Sequence, residues 1–166
     1  MSSRDAMLEA IRAARVPAVP APSYVAAASA NGDLVAPFLD MLRHVGGDGA
    51  EQAASASVEQ LVTAWFPGSR TGVLTIRAHF GVAENAAVYV DAADLSARAA
   101  IVRAEHLIVL LSKSAIVATM HEAVQRMPRH STCGWFLSGP SKTADIEQSL
   151  VIGAQGARTM RVILIA

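Results

Sequence analysis

A chain of 166 residues, 52% hydrophobic and 17% charged, is long enough for one sizeable core and too short for two ordinary domains. Its 14 basic residues balance 14 acidic ones, so the cationic excess that phosphate backbones require is missing and nucleic acid is excluded as an expected partner. One cysteine, Cys133, excludes an internal disulfide and the several thiolates of an iron–sulfur cluster or structural zinc.

The expected setting is reducing and cytoplasmic, with no cofactor and no metal. None of the five histidines has a metal-ligand spacing such as H-x-x-x-H with a partner acid. The Met1–Asp5 start leads into an amphipathic segment and not into a signal-peptide core, and no apolar run reaches the roughly 18 residues of a membrane span. No membrane association is expected.

From Arg4 to Ala14, residues Met7, Leu8, Ile11 and Ala14 have helical spacing, with Ser3 as the expected N-cap. Pro17, Pro20 and Pro22 make Val16–Ser23 an extended connector. A second helix is predicted over Asp33–Val45, with Leu34, Phe38, Met41, Leu42 and Val45 on one side and Gly46-Gly47 as its stop. Ala50–Ser57 reads either as a short edge strand or as a loop. Ser57 opens a short helix through Leu61 and Trp65 that Pro67-Gly68 ends.

Then the pattern changes. Gly72–Ile76, Val82 with Ala86–Val90, and His106–Leu111 are short apolar runs that suit strands buried on both faces. Ala115–Met127 is predicted helical, Trp135–Leu137 a strand, Thr143–Ile152 a helix and Arg161–Ile165 the closing strand. Strands alternating with helices predict an α/β domain with a parallel or mixed sheet. Residues 1–32 are read as an N-terminal helix plus Pro-rich connector, and 33–166 as the α/β core of a single domain.

Two segments are candidates for chemistry. In Ser138-Gly139-Pro140-Ser141-Lys142-Thr143-Ala144-Asp145, Gly and Pro break a strand, and Ser141 or Thr143 can cap the helix expected to follow. Unpaired amides and a positive dipole at a helix start, with Lys142 as a mobile cation, suit a phosphate or carboxylate. The same residues are also what a capped turn needs, with Asp145 offsetting the dipole. The glycines of a phosphate-binding Walker loop are absent, since Ser141 and Phe136 stand in their places. The second candidate is Glu84 in His79–Ala86. Flanked by Val82, Ala83, Ala86 and Ala87, its carboxylate is either desolvated and fit for acid/base or covalent work, or at the tip of an exposed turn.

Residues 138–156, followed by a strand ending Val162-Ile163-Leu164, closely resemble the C-terminal signature of the LUD-domain family, whose members include lactate utilization protein C (LutC/YkgG-like) proteins. Ser2–Arg12 resembles that family's first helix, and Gly81-Val82-Ala83-Glu84-Asn85-Ala86 its Ala-Glu-(Thr/Asn)-Gly turn, with Ala86 in place of the glycine. The resemblance implies a Rossmann-like mixed or parallel sheet flanked by helices, similar to the NagB/RpiA/CoA transferase-like fold. It also implies a role in bacterial oxidation of L-lactate to pyruvate, as the component without clusters beside iron–sulfur partner subunits. On that reading the chain is an accessory or ligand-binding subunit, with a small anionic ligand held by Ser138, Gly139, Ser141, Lys142, Thr143 and Asp145. The alternative is a stand-alone enzyme on an acyl-CoA or phosphorylated small molecule, with Glu84 as nucleophile or base.

Overall fold

Two long apolar strands lie side by side in the interior and organise the rest of the chain. In the computed structural model, which describes residues 2–14, 32–52, 57–68, 71–91, 98–128, 133–144 and 149–166, the elements run α1 (Ser3–Ala13), α2 (Val35–His44), β1 (Asp48–Glu51), α3 (Val58–Trp65), β2 (Val73–Arg77), β3 (Phe80–Val82), β4 (Val88–Asp91), α4 (Arg98–Arg103), β5 (His106–Ser112), β6 (Ile116–Val117), α5 (Met120–Arg126), β7 (Gly134–Leu137), β8 (Lys142–Thr143), β9 (Val151–Ile152) and β10 (Thr159–Ile165). The expected connector Val16–Ser23 lies outside the described residues. No described helix is long and apolar enough to cross a membrane.

The first sheet is wholly parallel, in the order β1-β10-β5-β2. Its central strands are apolar at nearly every position because both faces are covered. Side chains alternate: Val109, Leu111, Val162 and Leu164 face one way, Ile108, Leu110, Ile163 and Ile165 the other. Helix α3 covers the second face through Val62. The first face receives Phe38, Leu39 and Leu42 of α2, together with Val88 and Val90 from the second sheet. Each such side chain, fully buried, contributes about 1.5–3 kcal/mol.

The second sheet is mixed, in the order β6-β3-β4-β7, with β3 and β4 as an antiparallel hairpin. Its outer face carries Phe80, Tyr89 and Phe136, covered by α5 through Ala123. The α/β class with a parallel sheet flanked by helices is therefore as expected.

Local signals were sound where partners are near in sequence. Ser57 and Gln60 form a reciprocal capping box at α3. At α1 the cap is Ser2 and not Ser3: Ser2 and Asp5 exchange the capping bonds, which hold the Asp5 carboxyl below its ordinary range. Across the sheet, at the start of β5, His106 Nδ1 lies 2.9 Å from Thr159 Oγ1 of β10.

Of the two readings open for Ala50–Ser57, the edge strand is the one found at its start, and two other expectations are corrected. The stretch that begins at Asp48 is an edge strand, β1, pairing with β10, while residues 53–56 lie outside the described set. Ala115–Met127 is not one helix. A 3-10 turn over Lys113–Ala115 leads into β6, and the β-branched Ile116 and Val117 pair with Gly81 and Val82. Helix begins only at Met120, behind the Thr119 cap. Finally, the helix expected over Thr143–Ile152 is replaced at both ends by strand: Lys142 pairs with Ile152 and Thr143 with Val151 in an antiparallel ladder. Residues 145–148 are outside the described set. The β-branched Thr143, Val151 and Ile152 favour this extended pairing, and Gly153 at φ +81° turns the chain after it.

Candidate functional site

The β3–β4 turn, residues 83–87, is built by its own polar groups. The Ala87 amide donates to Asn85 Oδ1 at 3.0 Å, and the Val82 amide to the Ala87 carbonyl at 2.8 Å. This closure forces Ala86 to φ +53°, in the left-handed region, with its methyl wholly buried. The sequence had marked Ala86 as standing where a glycine is usual, and the backbone there has the glycine-type conformation.

Glu84 is exposed, not desolvated. Its carboxylate accepts from the Met120 amide at 2.8 Å, the first residue of α5, and its own amide donates to the Ala118 carbonyl at 3.1 Å. The carboxylate thus satisfies one of the amides that a helix start leaves unpaired. Of the two readings open for Glu84, the turn-tip reading fits this geometry. Replacing Glu84 with Ala should lower stability by about 1 kcal/mol, whereas Gln, which keeps an acceptor oxygen, should cost half of that or less. Urea unfolding of the two variants measures the difference, and equal losses would contradict the capping role.

The second candidate segment lies next to the first. Ser138 Oγ donates to the Asn85 carbonyl at 2.6 Å, which ties the end of β7 to the β3–β4 turn. Gly139, at φ +70°, brings the chain against the end of α2, where an added Cβ would lie 2.7 Å from the Val45 carbonyl oxygen. Lys142 Nζ donates to that same carbonyl. A cation is well placed there, because the last carbonyls of a helix carry partial negative charge.

These contacts correct the physical argument for an amide nest. The Ser141 amide donates to the Ala157 carbonyl and the Gly153 amide to the Ser141 carbonyl, both at 2.9 Å. Lys142 and Thr143 belong to the β8–β9 ladder. Backbone donors that a helix start would have left open are spent on the protein's own carbonyls. Asp145 lies outside the described residues.

Ser138, Gly139, Ser141 and Lys142 nevertheless share one cleft of about 360 Å³. Residues 135–137 of β7 and the 138–142 turn form one wall, Gln155–Ala157 faces them, and Ile101 and Val102 of α4 close the side. Lys142 is its one charged lining residue among those described, so the cleft is mildly cationic, its other lining side chains being apolar apart from Ser138, Ser141 and Gln155. Thr143 and Glu84 do not line it. The Gln155–Ala157 wall and α4 carried no sequence signal for this role, since both reach the cleft only through long-range packing. Among the described residues no three His, Cys, Asp or Glu side chains are grouped to hold a metal ion.

Comparison with known proteins gives two findings. The family model described as LUD domain matches residues 72–165, from the start of β2 through β10. Among solved structures, the chain is similar to a DUF162 family protein from Deinococcus radiodurans, with a TM-score of 0.55 and 14% identity, covering 80% of this chain and 96% of that one. That likeness establishes a shared fold. No curated protein matches the chain.

Proposed function

Because the chain belongs to the LUD-domain family, which is associated with lactate utilization, we propose that it is a LutC-like cytoplasmic component of bacterial L-lactate oxidation to pyruvate. It acts through binding and assembly and not through redox chemistry of its own, with residues 33–166 as the α/β core of one domain. The family match over residues 72–165 carries this reading. It is supported by the presence of one cysteine, Cys133, in the chain, because an iron–sulfur cluster is held by several thiolates. Cysteine-rich partner subunits would supply the clusters.

The cleft beside β7 is the proposed seat of a small anionic ligand. An ammonium has three donors, so Lys142 can hold the Val45 carbonyl and still offer N–H groups to an anion. Ser138 and Ser141 add hydroxyls on the same wall. The enzymatic alternative through Glu84 draws no support from an exposed carboxylate that caps α5.

Deleting the gene should slow growth on L-lactate while leaving growth on pyruvate unchanged, and the purified protein should associate with cysteine-rich partners. Unchanged growth on lactate together with no such association would sink the proposal.

A further inference from the structure

Arg161 lies within the parallel sheet on β10, and alternation turns it to the α3 face beside Thr159 and Ile163. Register sets Thr159 next to His106, and Arg161 next to Ile108 and Asp48. The guanidinium carbon is 5.0 Å from the centre of the Trp65 ring and 5.3 Å from that of Phe66. Phe66 also packs on the His106 ring, with 4.7 Å between centroids, while His106 Nδ1 meets Thr159 Oγ1 at 2.9 Å. Arg161 Nη1 is buried, and among the described residues no acceptor takes its hydrogens. Among the described residues no carboxylate forms an ion pair with this guanidinium. Asp48, its neighbour in register, is exposed, and its carboxylate accepts from the Gly49 amide at 2.8 Å.

Arg161 as a whole is half-buried, but an inward N–H that meets no acceptor is unfavourable. Stacking on the indole and phenyl rings engages the face of the guanidinium and leaves its N–H edge, whose fork matches a planar carboxylate. Thr159, two residues before Arg161 on the same face of β10, and His106, its neighbour in register, are the nearby polar residues of that face, hydrogen-bonded to each other at 2.9 Å. We propose that Arg161, with His106 and Thr159 beside it and Trp65 and Phe66 as walls, forms a binding site for a small carboxylate. It lies on the face of the sheet opposite Leu107, the β5 residue that lines the cleft.

The test is a ¹H–¹⁵N NMR titration that follows the Trp65 indole N–H and the Arg161 Nε–H with acetate, inorganic phosphate and chloride at matched ionic strength. Acetate should shift both resonances saturably, phosphate more weakly and chloride not at all. Arg161→Gln should abolish the Trp65 response, and Arg161→Lys should weaken it roughly tenfold, because an ammonium lacks the fork. Should Arg161→Gln fail to fold, Arg161→Lys and His106→Gln carry the comparison. The proposal is overturned by the absence of a saturable acetate shift into the tens of millimolar, an equal response to chloride, tighter binding of phosphate, or an unchanged response in the Arg161 variants.

Discussion

Gly139→Ala should destabilise the protein by about 2–5 kcal/mol, combining a left-handed backbone cost of about 1–2 kcal/mol with overpacking of about 1–3 kcal/mol. Gly139 has φ +70°, and its added Cβ would meet the Val45 carbonyl oxygen at 2.7 Å. Neither partner yields easily, since the obstacle is backbone at the end of α2, a helix anchored in the core by Phe38, Leu39 and Leu42. Gly68 supplies the control. It has φ +87° with nothing within 4 Å of a built Cβ, so Gly68→Ala carries only the backbone cost, about 1–2 kcal/mol. Urea unfolding of both variants isolates the contact between the 138–142 turn and α2. Equal losses would mean that this contact is not rigid, and the cleft wall with it.

Ala86→Val is the second large effect, about 2–4 kcal/mol. A β-branched residue at φ +53° is a steric outlier, and the two extra methyls have no room where Ala86 is already wholly buried against the core. Ala86→Gly behaves differently. Relief of the left-handed strain, about 1–2 kcal/mol, is offset by loss of one buried methyl, about 1 kcal/mol, and by the greater chain freedom glycine loses on folding, about 0.5–1 kcal/mol, so stability should change little. Thermal unfolding of the two variants checks both signs. A clearly stabilised Ala86→Gly would show that the methyl contributes less packing than its burial implies.

Both positions show how much of the site could be read in advance. Ala86 stands out in the sequence because alanine occupies a glycine position, and the turn's own bonds, from the Ala87 amide to Asn85 Oδ1 and from the Val82 amide to the Ala87 carbonyl, hold that conformation. The Ser138–Lys142 segment was also found, and it does line a cleft. Its backbone geometry differs from the expected helix start, because Ser and Thr after a Gly-Pro break serve equally as helix caps and as polar residues of an antiparallel ladder. What decides between them is the Ala157 carbonyl, which takes the Ser141 amide, and β9, which takes the edge of β8.

Residues close in sequence set the capping boxes at α1 and α3, the amphipathic α2 and the two apolar strands that needed cover on both faces, since period and capping are properties of short windows. Tertiary structure alone decided which strands pair, that Glu84 is spent on α5, that Ser138 fastens the β3–β4 turn, and that Arg161 lies against Trp65 and Phe66. Those outcomes depend on partners tens of residues apart, whose encounter is fixed by how apolar faces cover one another and not by any local pattern.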